Sequence, residues 1–146
     1  MNINPTVRPV KFSDKERIFQ LLQSLRLPLE GIEEHLRNFL VMEINQKIFG
    51  VVGLEIYENK GLLRSLGVNY EVQGNSYGKL LCKEILEKAK QLNLDEIYLL
   101  TETAEDFFSK QGFEKISRKI VSDRVKESVE FKSVCPQSAV CMHKLL

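Results

Sequence analysis

The sequence is short of the features that would tie it to a polyanion or a membrane. Its 21 Lys and Arg are balanced by 20 Asp and Glu, a formal charge of +1. Such a chain has no strong field to draw in nucleic acid or an anionic bilayer. No apolar run approaches the ~20 residues that a membrane-spanning helix needs, and the opening MNINPTVRPVKFSD lacks the apolar core of a signal peptide. A cytoplasmic location is expected. Cysteine is scarce, and Cys82, Cys135 and Cys141 are expected as thiols in a reducing compartment. There is no G-x-x-x-x-G-K-[ST] run, which discounts a P-loop nucleoside triphosphatase, and no G-x-G-x-x-G, which weakens a dinucleotide reading. No repeat, low-complexity tract or linker interrupts the 146 residues. That length buries a core without staples, so one domain over residues 1–146 is expected.

What is present is a change of period along the chain. SDKERIFQLLQSL places Ser13 three residues before Glu16, a capping-box spacing, and sets Ile18, Leu21, Leu22 and Leu25 on one helical face. Pro28 ends that helix, and EGIEEHLRN predicts a shorter one. FLVMEI, KIFGVVGLEIY and GLLRSLGV then read as three strands of an antiparallel meander, separated by NQ and ENKG turns. A long helix follows, with Leu81, Ile85, Ala89 and Leu92 as its apolar positions, and then the short strand DEIYLLT. Strand, loop, helix and strand between residues 62 and 101 predict a parallel crossover. Thr103 is placed to cap a short helix AEDFFSKQ, which Gly112 stops. FEKISRKIV predicts another strand, residues 122–128 a small helix, and SAVCMHKLL the closing strand. The expected class is mixed α/β.

Between the meander and the long helix lies QGNSYGK, residues 73–79. The N–H groups that open a helix have no intrahelical acceptors and sit at the positive end of its dipole. A phosphate can take several of them at once. The stretch Gln73-Gly74-Asn75-Ser76-Tyr77-Gly78 resembles the pyrophosphate loop of GNAT acetyltransferases, Gln/Arg-x-x-Gly-x-Gly/Ala, with Ser76 in place of the middle glycine. TAEDFFSKQGF resembles the family's Ala-x-x-Phe-Tyr-x-x-x-Gly-Phe helix through Ala104, Phe107, Phe108, Gly112 and Phe113. The two motifs occur in the family's order. GVVGLE, LLRSLGV, YLLTETAEDFF and above all EFKSVCPQSAVCMHKLL are similar to the arsenic-resistance N-acetyltransferase branch.

The resemblance implies a GNAT-like fold, in which a mostly antiparallel central sheet with a splayed parallel pair is flanked by helices. It implies acetyl-CoA as cosubstrate, held by Leu66, Gly67 and Val68 of the strand before the loop, by residues Gln73 to Lys79, and by Phe107 and Phe108. Gly67 is expected at the bulge that splays the strand. An amine acceptor must shed a proton before it attacks. Alternation along VVGLEIY places Gly53, Glu55 and Tyr57 on one face, and Glu55 is the expected base. The family's tyrosine acid is replaced by Phe108, so no general acid is assigned, Tyr98 being one alternative. Arg64 is the expected carboxylate partner for an amino-acid substrate, with Ser65 beside it in sequence but on the opposite strand face. Arg8 and Arg118 are weaker candidates.

The expected activity is N-acetylation of a small amine, an amino acid or an amino-acid-like arsenical. The alternatives are a non-catalytic acyl-CoA sensor and a metalloid binder using Cys135 and Cys141. C-x5-C lacks the pairing of a zinc site, and Cys141 is expected in the core. His35 and His143 have no ligand pattern, so no metal is assigned. A monomer and a homodimer are both compatible with the closing strand.

Overall fold

The computed structural model describes residues 4–146, without the side chains of Ser133 and Val134. Its sheet has seven strands in the order β1-β2-β3-β4-β5-β7-β6. The meander is β2 (Leu40–Ile44), β3 (Lys47–Tyr57) and β4 (Lys60–Val68). Asn45 and Gln46 both take positive φ, which matches a two-residue loop to the twist of β2 and β3. A strand not anticipated, β1 (Thr6–Pro9), adds to the outer edge of β2. Arg8 fixes it, donating to Glu43 and, at 2.8 and 3.0 Å, to Asp14.

Helix α1 (Lys15–Ser24) is N-capped by Asp14 rather than Ser13. The Asp14 carboxylate reaches back to the Lys11 N–H at 2.7 Å, and the Arg8 guanidinium holds it below the usual carboxylate range. Ile18, Leu21 and Leu22 of α1, with Ile32 of α2 (Ile32–His35), pack against Phe39, Val41 and Val51 on one face of the sheet. Helix α3 (Tyr77–Gln91) covers the other face. Its Leu81, Ile85 and Ala89 are buried against Val52, Leu54 and Leu63, each Leu or Ile contributing about 1.5–3 kcal/mol. Leu92 lies beyond the helix and is 44% exposed, contrary to the periodic expectation.

Strand β5 (Glu96–Thr101) pairs in parallel with β4 only where Lys60–Leu62 face Glu96–Tyr98. Past Leu62 the two strands part. The bulge lies at Ser65 and Leu66, which together oppose Val52, since Val51 pairs with Gly67 and Gly53 with Arg64. Ser65 takes φ +59°. The splay thus begins before Gly67, the expected position. Gly67 is small for another reason: a Cβ there would come within 2.6 Å of the Leu25 side chain.

Helix α4 (Glu105–Lys110) follows β5, and Gly112, at φ +94°, turns the chain out of it. Thr101, not Thr103, caps this turn, accepting from the Ala104 N–H at 3.0 Å. The predicted strand FEKISRKIV shortens to β6, Glu114–Lys115, because the chain turns into a 3-10 turn at Arg118–Ile120. The expected helix over 122–128 reduces to a 3-10 turn at Val125–Glu127, and Glu130–Val134 form a single π-helical turn. The closing strand β7 (Val140–Leu145) lies antiparallel between β5 and β6. A third apolar cluster, with Leu62, Tyr98, Val121, Val125, Phe131 and Cys141, seals this end.

Candidate active site

The alternation of β3 and β4 sends Glu55 and Arg64 to the same face of the sheet, where the side chains meet. Arg64 Nη1 donates to Glu55 Oε2 at 2.8 Å, and each side chain is 1% exposed. The Tyr57 hydroxyl donates to Glu55 Oε1, and His35 Nε2 lies 3.7 Å from that oxygen. Burial raises the Glu55 carboxyl, but hydrogen bonds from Tyr57, Ser128 and Arg64 together outweigh it and hold the group below its ordinary range. A carboxylate with both oxygens occupied and its proton affinity depressed is a poor base, so the geometry departs from the role expected of Glu55.

Arg64 has a second, different end. Its Nη2 is buried and finds no hydrogen-bond partner among the described residues. Glu130 Oε2, from the π-helical turn, is 3.9 Å away. The left-handed backbone at Ser65 breaks the expected alternation, so Arg64 Nε donates to Ser65 Oγ at 3.0 Å. Gly31, at φ +80°, backs onto the cluster, where a Cβ would lie 3.2 Å from Arg64 Nη1 and 2.9 Å from Val129. The α1–α2 loop and the C-terminal segment therefore close over the guanidinium.

Arg64, Ser65 and Leu66 form one wall of a cleft of about 560 Å³ in the gap where β4 and β5 part. Thr101 and Ala104 line the facing wall, with Phe108, and Glu130 and Cys135 close the inner end. Cys135 Sγ donates to Glu130 Oε2 at 3.5 Å. Burial and the neighbouring Glu130 push the Cys135 thiol up to about 12, and burial pushes Cys141 to about 11. Neither is a ready thiolate for a metalloid, and Cys141 packs in the third apolar cluster. Among the described residues, no three His, Cys, Asp or Glu side chains group as a metal site. Tyr98 packs in that same cluster, outside the cleft, and Arg8 and Arg118 are spent elsewhere, Arg118 on the carbonyls of Pro136 and Ala139.

A second cavity, of about 410 Å³, lies at the start of α3, lined by Val68, Gln73, Gly74, Ser76, Tyr77, Gly78, Lys79 and Phe107. Among the described residues no side chain caps α3, so its first N–H groups remain available to a ligand. Gly74 and Ser76 take φ +89° and +63°. Ser76 thus adopts a left-handed backbone, which a glycine in its place would adopt without strain. Gln73 and Asn75 turn inward, donating at 2.9 and 2.8 Å to the Val68 and Val72 carbonyls. They hold the loop shut rather than offer side chains to a ligand. Phe107 faces this cavity while Phe108 faces the cleft, their rings edge to face at 5.1 Å. The two cavities are thus neighbours across one turn of α4.

The site residues that sequence reasoning missed are Glu130, Tyr57 as a donor, and His35; Cys135 was weighed only as a metalloid ligand, not as a wall of this cleft. Tyr57 was legible by alternation with Glu55. Glu130 and Cys135 belong to irregular backbone, where no period marks a face.

Comparison with known proteins agrees with this geometry. An acetyltransferase (GNAT) domain model matches residues 35–115, more than half of the chain, from α2 through the loop to β6. An uncharacterized N-acetyltransferase of Chlorobaculum tepidum is 23% identical over 143 residues, 92% of this chain and 90% of that protein. An amino-acid acetyltransferase of Ralstonia nicotianae is 30% identical over 116 residues, 73% of this chain but 26% of that protein. N-acetylglutamate synthase from Neisseria gonorrhoeae, solved with coenzyme A and N-acetyl-glutamate, superposes on 100% of this chain and 36% of its own with a TM-score of 0.84 at 19% identity. The chain thus spans about a quarter to a third of these two larger proteins. Separated parallel strands, an uncapped helix behind a tight loop, and a family match that spans both place this chain in the GNAT family of acetyl-CoA-dependent acetyltransferases.

Proposed function

We propose that the protein acetylates the α-amino group of an amino acid, or of an amino-acid-like arsenical, as a single catalytic domain in the cytoplasm. The observation that carries this reading is the buried Nη2 of Arg64, without a partner among the described residues, on a side chain that lines the cleft. A buried donor left unmade costs about 1–3 kcal/mol, and a substrate carboxylate supplies the missing acceptor. Glu55 fixes the guanidinium from behind and Ser65 from the side, so Glu55 is a positioning residue. Relatives named as amino-acid acetyltransferases support the substrate class. The arsenical rests on the similarity of the tail EFKSVCPQSAVCMHKLL to the arsenic-resistance branch.

In this reading the pyrophosphate lies on the N–H groups at the start of α3, in the cavity lined by Gln73 to Lys79. The pantetheine arm follows the free edge of β4 at Leu66, Gly67 and Val68, unpaired with β5 past Leu62. Main-chain N–H groups there face the thioester oxygen as negative charge develops. Phe108 bears no proton to give. A thiol of pKa near 8.5 leaves without one.

The test is release of CoA with paired acceptors: amino acids, and the same amines lacking the carboxylate. Turnover confined to the amino acids is expected. Equal turnover of both members of each pair would remove Arg64 from substrate binding. Acetyl-CoA binding without any turnover would favour the sensor.

A further inference from the structure

We propose that Glu130 is the base that takes the proton from the acceptor's ammonium group, a role that rests on the amino-acid reading above. Three observations of geometry lead there. Glu130 lines the same cleft as Leu66, where the thioester is expected, and as Arg64, where the carboxylate is expected. One of its oxygens, Oε2, faces Arg64 Nη2 at 3.9 Å and accepts from Cys135 at 3.5 Å. The other, Oε1, receives no hydrogen bond among the described residues. An α-amino acid carries its ammonium one carbon from its carboxylate. A substrate carboxylate on Nη2 therefore presents its nitrogen beside Glu130.

The backbone holds this carboxylate in place. The Glu130 N–H donates to Ser128 Oγ at 3.1 Å, and its carbonyl accepts from the Cys135 N–H at 3.1 Å, closing the π-helical turn. The groups that act on it are Arg64 from β4, Glu55 from β3, Glu30 from the α1–α2 loop, and Cys135 from its own segment. Burial, aided by Glu55 and Glu30, raises the Glu130 carboxyl above its ordinary range despite Arg64 and Cys135. The contrast with Glu55 separates the roles: one carboxylate is saturated and depressed, the other half free and raised.

The proton count closes. Glu130 takes one proton from the ammonium. The freed nitrogen lone pair bonds to the thioester carbon, the C–S bond breaks, and the electron pair leaves on sulfur. The proton that the nitrogen then sheds ends on the CoA sulfur, and Glu130 returns its proton to water.

The experiment is a pH–rate profile of Glu130→Gln and of the unsubstituted protein, with an accepted amino acid and saturating acetyl-CoA. Acetyl-CoA affinity is measured by titration calorimetry on the same samples. The expected result is a 10²–10⁴-fold loss of kcat near pH 7, recovering as pH rises toward the amine's own pKa, with acetyl-CoA affinity unchanged. Recovery at high pH within one sample also shows that the variant is folded. Glu130→Asp, which keeps the carboxylate, should retain more of the neutral-pH rate than Glu130→Gln. A Glu130→Gln variant with the unsubstituted rate and profile overturns the proposal and leaves the amino-acid reading standing. So does a loss of rate that is constant across pH. If the unsubstituted protein acetylates no amino acid while binding acetyl-CoA, the amino-acid reading itself fails and takes this assignment with it.

Discussion

Replacing Arg64 by methionine probes the centre of the cleft. The side chain is nearly isosteric, so the change removes charge and donors more than volume. It leaves Glu55, 1% exposed, without its guanidinium partner, and Glu130, 8% exposed at the side chain, without its nearest cation. Breaking a buried pair by removing one member costs about 3–5 kcal/mol. For a chain of this length, each kcal/mol lowers Tm by about 2–4 °C, so a fall of roughly 6–20 °C is expected. The pH dependence has a definite sign. In the unsubstituted protein the Glu55 carboxyl lies below its unfolded value. Its contribution is present above the unfolded pKa and is lost as pH falls through the folded one. In Arg64→Met the guanidinium no longer opposes burial, and the carboxyl rises from its place in the unsubstituted protein, Tyr57 and Ser128 still holding it down. The variant is then least handicapped at low pH, and its deficit grows as pH climbs through the raised pKa. Urea denaturation at pH 5 and pH 7.5 reads this directly: the deficit should be larger at pH 7.5. Adding Glu55→Gln should recover at least about 2 kcal/mol at pH 7.5, because no unpaired charge then remains at that site. A deficit below about 1 kcal/mol, or one of equal size at both pH values, would refute the buried pair.

Gly78→Asp and Gly78→Ala separate charge from space in the loop. A Cβ at Gly78 lies 3.7 Å from the Phe107 ring, an ordinary contact. Gly78→Ala should therefore bind acetyl-CoA within a few-fold of the unsubstituted protein, whereas Gly78→Asp should weaken it at least about tenfold, or 1.4 kcal/mol; equal affinity for all three in calorimetry would remove the loop assignment. Ser76→Gly should raise stability by about 0.5–1 kcal/mol, as relief of the left-handed strain exceeds the entropy that glycine adds to the unfolded chain. A loss of stability on denaturant titration would show that the serine side chain, not its backbone, supports the turn.

The parts of the fold legible in the sequence are those with a period. Val52 and Leu54 point one way and Gly53, Glu55 and Tyr57 the other, as alternation requires, so β3 fixes which side of the sheet holds the polar cluster. The loop was legible because small residues stand between a strand and a helix. Less legible were features set by partners distant in sequence. β1 forms because Arg8 finds Asp14 and Glu43, not because TVRP favours a strand. Arg64 and Ser65 come together through one left-handed residue, which no alternation rule anticipates. Glu130 meets Arg64 from a segment distant in sequence, carried by a π-helical turn without a repeating pattern.

The segment that carries Glu130 has a consequence for how the molecule fails on heating. Strands β5 and β7 pair along their whole length, yet the chain between them makes an excursion whose later part, residues 116–139, is held by single turns and the third apolar cluster. Such a stretch opens at lower free energy than the ladder at its base. Warming should first lift one side of the acceptor cleft while α3 and the sheet still grip the nucleotide end of the cosubstrate. Catalysis would then fade below the main melting transition, in a form that still binds acetyl-CoA. Heat inactivation and loss of fold would be two separate events in this protein, ordered by which side of the cleft lets go first.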